Sequence, residues 1–434
     1  MEKIIINGGR ALNGSVEISG MKNTAVAVLM GSVLIDDVVV LENIPDIADV
    51  MNSFDILTYM GAVIRKLGPT TYEIDNTRTR GGSSPSPLVR KMRGSYYLLG
   101  AEVGRFGRAF VDQPGGCFFG IRAIDQHEKG FVKLGGTMKI AANGYYDLRA
   151  DDGLHGAQIF LDMASVGATI NIMLAAVKAV GTTVIENAAR EPHVVDLANF
   201  LNACGANITG TGTSTIKIKG VDTLHGCTYA ILPDMIEAGT YMAAAGAVEG
   251  SSLTIKNVIP KHLESITAKL RDMGLTVTEL DDAVKVERTG DIIKTNMKTV
   301  PYPGLPSDMN APMGVLMCLA NGGSSVLSEG IFDNKFRYTE ELQRMGASVS
   351  LRSLKDAVFE GVGGLHGANV DCVDLRAGAA MVVAGLAAVG RTEIGAIHHI
   401  ERGYDNMVQK LRAVGADIRK ISIGEGMMLN RRAN

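Results

Sequence analysis

One pattern, met six times along the chain, restricts the available folds more than any other feature. A helical segment ends on an apolar residue and a glycine, and a short strand-forming run follows. It reads Tyr59-Met-Gly61-Ala-Val-Ile, Lys133-Leu-Gly135-Gly-Thr-Met, Ala203-Cys-Gly205-Ala-Asn-Ile, Asp272-Met-Gly274-Leu-Thr-Val, Arg344-Met-Gly346-Ala-Ser-Val and Ala413-Val-Gly415-Ala-Asp-Ile. The glycines are spaced by 74, 70, 69, 72 and 69 residues, an interval too steady for chance. Glycine suits this place because a helix commonly ends on a left-handed residue, which glycine adopts without steric cost.

Each repeat carries the same further parts. A helix apolar on nearly every side recurs at 23–33, 92–103, 164–177, 235–248, 309–319 and 376–389, and such a helix belongs inside. A strand then leads into a polar turn, as at Asn43, Asn187 and Asn257, which is expected to start the amphipathic surface helix. Alternating stretches such as 214–220 and 283–288 read as half-exposed strands, and Gly210-Thr-Gly212 as a hairpin turn. The segment 77–87 is expected to be an exposed excursion.

A chain of 434 residues exceeds what one core usually organises, so the expectation is an α/β protein of two domains with three repeats each. The boundary falls near 229–233. It gives one domain of 22–232 and a second of 1–21 plus 233–434, whose sheet the N-terminal strand completes.

Composition excludes several classes. The net charge of −3 offers no basic excess for nucleic acid or an anionic membrane, so an anionic ligand must be met locally. Five cysteines (Cys117, Cys204, Cys227, Cys318, Cys372), odd in number and without a CxxC pair, indicate neither a disulfide framework nor a zinc site. The cytosol is the expected compartment. The apolar start is too short for a signal peptide, and the longest uncharged apolar run, 377–390, falls below the ~20 residues of a spanning helix.

In the second repeat the plain turn is replaced by Gln113-Pro-Gly-Gly-Cys117-Phe-Phe-Gly-Ile-Arg122. This extra length reads as a functional loop presenting Cys117 beside a cation, with a buried small hydrophobe as the alternative. The inner helices also begin on polar residues, among them Lys22, Arg93, Asp308 and the pair Asp374 and Arg376. Helix N-termini attract anions, so cations there oppose the dipole and suggest ligand binding; solvated ion pairs are the alternative. Facing lobes would gather Lys22, Arg93, Arg122, Arg376 and Arg402 with Asp308 and Asp374. Asp234 reads more simply as a helix cap, and the histidines, His127 and His398-His399 included, as satisfied structural groups.

Seven pieces carry a family resemblance: Ser19-Gly-Met-Lys-Asn23, Pro114-Gly-Gly-Cys-Phe-Phe-Gly-Ile-Arg122, Glu186-Asn-Ala-Ala-Arg-Glu-Pro192, Leu305-Pro-Ser-Asp308, Gly330-Ile-Phe-Asp-Asn334, Asp374-Leu-Arg376 and His399-Ile-Glu-Arg-Gly-Tyr404. Essentially end to end, the chain resembles the bacterial UDP-N-acetylglucosamine 1-carboxyvinyltransferases, cytoplasmic enolpyruvyl transferases that open the committed path to peptidoglycan.

The resemblance implies an inside-out α/β barrel in each of two domains, with buried helices surrounded by sheets and surface helices. It implies the substrates phosphoenolpyruvate and UDP-N-acetylglucosamine, and no cofactor or metal. Lys22, Arg122 and Arg402 would hold phosphoenolpyruvate, Cys117 would protonate its enol carbon, and Asp308 would take the proton of the sugar 3-hydroxyl. Asn23, Arg93 and Ile331 match positions around the aminosugar, and Arg376 completes the charged set. Arg122, Ala123, Ile124, Asp125 and Gln126, with Ser165, Val166 and Gly167, match positions holding uridine and diphosphate. Ala123 stands where the family usually has proline, and Met235 where arginine often follows Pro-Asp. The sister enzymes acting on shikimate 3-phosphate share the fold but lack the Pro-Gly-Gly-Cys loop. A non-catalytic sugar-nucleotide-binding paralog is the rival from another class.

Overall fold

The structure, a computed structural model, describes residues 2–82, 86–115 and 123–422. Cys117 and Arg122 lie outside the described residues. The protein is mixed α/β and forms two compact units, Gly20–Leu232 and Met1–Ser19 with Pro233–Asn434.

The first unit contains helices α1 (Lys22–Gly31), α2 (Ala48–Tyr59), α3 (Ser86–Val89), α4 (Leu98–Phe106), α5 (Asp125–Lys133), α6 (Val166–Ala176) and α7 (Pro192–Ala203). Of these, α1, α4 and α6 form the interior, and their apolar side chains join one core cluster with the inner faces of α2 and α7. Small residues permit this close packing. A Cβ on Gly100 of α4 would stand 2.3 Å from the Asn171 carbonyl of α6, whose side-chain oxygen accepts a hydrogen bond from Gly100 N at 2.9 Å.

Around these helices lie three sheets. One orders the strands Thr228–Ala230, Val38–Glu42, Tyr72–Asp75 and Val63–Lys66. Another orders Arg108–Val111, Tyr146–Arg149 and Thr137–Ile140. The third orders Asn207–Thr209, Thr215–Lys219, Thr182–Glu186 and Gln158–Phe160.

The second unit adds α8 (Met235–Ala247), α9 (Glu264–Asp272), α10 (Asn310–Leu319), α11 (Thr339–Arg344), α12 (Leu375–Ala387) and α13 (Met407–Ala413). Its inner helices are α8, α10 and α12, each almost wholly buried. The strand Glu2–Asn7 pairs antiparallel with both Arg391–Gly395 and Asp417–Ser422, while Asn13–Glu17 runs parallel to Ser252–Lys256. The N-terminal residues thus belong to sheets of this unit.

The repeated glycines end α2, α5, α7, α9, α11 and α13, and all six are left-handed, with φ between 85 and 106°. The asparagine turns differ from expectation. Asn43, Asn187 and Asn257 do not cap the following helices, which begin at least four residues later. Each is itself left-handed, with φ of 59, 55 and 55°. Its side-chain amide donates to the carbonyl of Ile231, Leu161 or Ile18, at 3.0, 2.9 and 2.7 Å. Asparagine is selected because it tolerates this conformation while closing the end of a neighbouring strand. The excursion at 77–82 is mostly exposed, as expected, with Thr79 alone buried and its hydroxyl donating to the Asn76 side chain at 3.2 Å.

Candidate active site

In the second unit the first turn of α12 is prepared by Asp374, whose carboxylate accepts from the backbone N–H groups of Arg376 and Ala377, both at 2.9 Å. Asp374 is therefore a helix cap. Arg376 itself is 4% exposed; its Nε donates to Asp308 Oδ2 at 3.1 Å, and its guanidinium lies 5.3 Å from the Tyr404 ring centre. Burial opposes its charge, but Tyr404 and Asp308 more than compensate and hold it firmly protonated. Nη1 has no hydrogen-bond partner although buried, which leaves one strong donor for a ligand.

Asp308 lies in the single turn Ser307–Met309 that leads into α10, with 30% of its side chain exposed. Lys335 Nζ lies 3.8 Å from its other oxygen and is nearly buried. Two cations thus bracket a carboxylate that solvent or substrate can still reach. Lys335 was missed by sequence reasoning, because only the fold returns the turn after Asn334 to this helix start. Glu329 was missed for the same reason: it accepts from Asn310 Nδ2 at 2.9 Å and from the backbone of Ile331 at 2.9 Å, which fixes the partly exposed Ile331. Arg402 closes the turn Ile397–Arg402, half-buried; its charge helps hold the His399 imidazole below its usual range, after burial and His398.

A second buried network joins Glu237 of α8 to Lys410. Nζ of Lys410 donates to Glu237 at 2.6 Å and to Ser19 Oγ at 2.7 Å, and Ser19 N donates to Glu237 at 2.9 Å. Burial pushes the Glu237 carboxyl up to about 7, against the opposing pull of Lys410. The neighbouring Asp234 caps α8, accepting from Ile236 N at 2.8 Å, so the simple reading of that aspartate holds.

In the first unit Lys22 opens α1, whose start has no side-chain cap. Its Nζ lies 3.0 Å from Asp49 on the first turn of α2, with side chains 14% and 6% exposed. The cation that opposes the α1 dipole is thereby neutralised within the fold. Asn23 follows it, half-buried.

Arg93 starts the turn Arg93–Tyr97, with its guanidinium 5.3 Å from the Tyr96 ring centre. Beside it stands His127 of α5, edge-on to Tyr96 at 5.0 Å. Neither imidazole nitrogen of His127 has a partner, so it is not the satisfied structural histidine expected. Burial first, and then Arg93, lowers its pKa to about 3, which keeps it neutral.

Both rings abut the start of α6. A Cβ on Gly167 would stand 2.0 Å from the Tyr96 hydroxyl and 2.8 Å from His127 Nε2. Only glycine fits there. Ser165 caps this helix, its Oγ accepting from Ala168 N at 3.3 Å, and Val166 follows it. Ala123 is exposed and Ile124 half-buried just ahead of α5, where Asp125 is exposed. Gln126 is buried; its amide donates to Asp125 at 2.8 Å and Asp162 at 3.0 Å, and its oxygen accepts from Asp162 N at 2.9 Å. Gln126 therefore ties the start of α5 to the approach to α6.

The segment leading to Cys117 is also fixed. Asp112 is buried against Arg90 at 2.7 Å and accepts from Gln113 N at 2.7 Å. Gly115 is required by crowding rather than by an unusual backbone angle, since a Cβ would meet the Arg90 carbonyl at 1.7 Å. Among the described residues no group of three or more histidines, cysteines or carboxylates could hold a metal ion, and no helix is long and apolar enough to cross a membrane.

The chain as a whole is similar to one family of known proteins. The family model described as EPSP synthase (3-phosphoshikimate 1-carboxyvinyltransferase) matches residues 6–411. The enolpyruvyl transferase NikO from Streptomyces tendae superposes with a TM-score of 0.86 at 26% identity, over 98% of this chain and 99% of its own. An EPSP synthase from Acinetobacter baumannii shares the fold, with a TM-score of 0.74 at 17% identity over 97% and 100% of the two chains. The chain belongs to the enolpyruvyl transferase family.

Its position within that family follows from nearer relatives. The UDP-N-acetylglucosamine 1-carboxyvinyltransferase 3 of Caldanaerobacter subterraneus subsp. tengcongensis is 53% identical, over 97% of this chain and 100% of its own. The UDP-N-acetylglucosamine 1-carboxyvinyltransferase 2 of Clostridium acetobutylicum is 49% identical, over 98% and 100%. This chain is a member of the UDP-N-acetylglucosamine 1-carboxyvinyltransferase branch.

Proposed function

We propose that the protein transfers the enolpyruvyl group of phosphoenolpyruvate to the 3-hydroxyl of UDP-N-acetylglucosamine and releases phosphate, in the cytoplasm, as the first committed step of peptidoglycan synthesis. The observation that carries this within the site is Asp308, a reachable carboxylate held by Arg376 at 3.1 Å and Lys335 at 3.8 Å. A carboxylate so held is fixed in direction, as a general base for a hydroxyl must be.

Attack of the hydroxyl oxygen on C2 of the enol phosphate forms a C–O bond while C3 takes up a proton. Loss of a C3 proton then expels phosphate from the tetrahedral intermediate. Asp308 accepts the hydroxyl proton, and Cys117 supplies the proton to C3. Lys22, Arg122 and Arg402 take the phosphate and carboxylate of phosphoenolpyruvate, which stabilises the developing charge.

Asn23, Arg93 and Ile331 flank the aminosugar, and the orphan Nη1 of Arg376 supports a role beside the same ligand. Residues 122–126 and Ser165–Gly167 receive uridine and diphosphate, the latter favoured by the positive end of the α6 dipole. No metal or organic cofactor is invoked. The steady repeat interval supports six units of about 70 residues, three to each inside-out barrel.

The deciding assay is phosphate release from phosphoenolpyruvate by the purified protein. Release is expected only with UDP-N-acetylglucosamine present. Release driven instead by shikimate 3-phosphate would overturn the assignment, and binding of sugar nucleotide without turnover would favour the non-catalytic paralog.

A further inference from the structure

Two side chains that the transfer chemistry does not use stand in contact within the first unit. Cys204 ends α7 and is fully buried; Cys227 is half-buried and immediately precedes the strand Thr228–Ala230. Their sulfurs are 3.1 Å apart. The two segments are also held together by their backbones, with His225 N donating to Cys204 O at 2.9 Å, and Val40 N donates to Cys227 O at 2.8 Å from the neighbouring strand. Gly226 N donates to Asp37 at 2.7 Å, which fixes the approach to Cys227. A structural metal does not account for the pair, since among the described residues no group of three or more suitable ligands exists.

We propose that Cys204 and Cys227 are an oxidative modification site, converted by a hydroperoxide into an intramolecular disulfide. Cys227 attacks first: it is the more accessible sulfur, and the hydrogen bond from Cys204, aided by His225, favours its thiolate. Its sulfur takes one oxygen of hydrogen peroxide, the O–O bond breaks, and the departing hydroxide recovers the thiol proton as water. Cys204, whose thiol is kept protonated by its bond to Cys227 and by burial, then attacks the sulfenic sulfur. The S–O bond breaks, and hydroxide leaves with the Cys204 proton as a second water. Two thiols lose two electrons, and the peroxide gains them. The sulfurs need to approach by only about 1 Å to reach bonding distance.

The bond would tie the end of α7 to the strand that pairs parallel with Val38–Glu42. That strand is already anchored on α7 through Asp196, which accepts from the Tyr229 hydroxyl and from Leu232 N. Cross-linking elements already in register should constrain the unfolded chain without straining the folded one.

The full chain is treated with hydrogen peroxide, alkylated after denaturation, digested without reductant and mapped by mass spectrometry. A peptide joining Cys204 to Cys227 is expected, with a reductant-reversible rise in Tm of about 2–5 °C. Cys227→Ser should show neither, and Cys204→Ala serves if that variant does not fold. Recovery of both cysteines as alkylated thiols, or of Cys227 as a sulfinic acid without the cross-link, overturns the proposal. None of these readouts depends on enolpyruvyl transfer, so failure here leaves the proposed activity untouched.

Discussion

Arg376 Nε donates to Asp308 Oδ2 at 3.1 Å, and the two residues meet because each sits on the first turn leading into a separate inner helix. Asp308→Asn keeps an acceptor for the guanidinium but removes the group able to take a proton. The expected result is a fall in kcat of about 10²–10⁴-fold with little change in Tm. Steady-state phosphate release and a thermal melt read both quantities; an Asp308→Asn enzyme with near-normal kcat would remove the carboxylate from the mechanism.

Lys22 and Asp49 make the comparable pair in the other unit, at 3.0 Å and with both side chains largely buried. Asp49 does not itself meet phosphoenolpyruvate in the proposed scheme; it positions Lys22. Asp49→Asn should raise KM for phosphoenolpyruvate roughly tenfold while kcat changes less, and Asp49→Glu should recover part of the loss. Equal loss of kcat and KM effects in both variants, with a lowered Tm, would mark the pair as purely structural.

Period and glycine chemistry made much of the local structure legible in sequence: the helix ends at Gly61, Gly135, Gly205, Gly274, Gly346 and Gly415, and the buried character of the inner helices. Contacts between elements far apart in the chain were not legible. Nothing local marks Lys335 as a neighbour of Asp308, Asp49 as the partner of Lys22, or Glu237 as the acceptor for Lys410, since each pair joins elements separated by tens to hundreds of residues. Asn43, Asn187 and Asn257 were misread as helix starters because left-handed turns and N-caps favour the same residue type. His127 was misjudged because its burial against Tyr96 and Gly167 depends on how α5, α6 and the turn Arg93–Tyr97 converge.

Glu237 gives stability a definite pH dependence. Its carboxyl titrates near 7 in the fold against an ordinary value of 4.5, with burial as the main cause. Because the folded state binds the proton more tightly, this contribution is fully present below about pH 4.5 and is lost as pH rises through 7, on the order of 3 kcal/mol. His127 acts with opposite sign. Its imidazole is lowered from 6.5 to about 3, so its contribution is present above pH 6.5 and lost as pH falls toward 3. Urea denaturation of wild type and Glu237→Gln across pH 4.5–8 isolates the first effect, and the difference between them should grow in favour of the variant as pH rises. A difference that stays flat with pH would falsify the assignment to Glu237.

Cys117 should be the thiol that a phosphoenolpyruvate-like epoxide labels covalently, and Cys117→Ser should abolish that labelling. The other cysteines have physical reasons not to react. Burial raises the Cys318 thiol to about 12 and pushes that of Cys372 up as well, and Cys204 is shielded in the core behind Cys227. Cys227 is the instructive control, because its thiol is lowered by Cys204 and His225 rather than by an arginine or lysine. If ionisation alone governed labelling, Cys227 would react and the label would survive in Cys117→Ser. If labelling requires anion-binding cations around the thiol, only Cys117 carries it, and phosphoenolpyruvate should protect it. Peptide mapping of labelled wild type and variant decides between these outcomes.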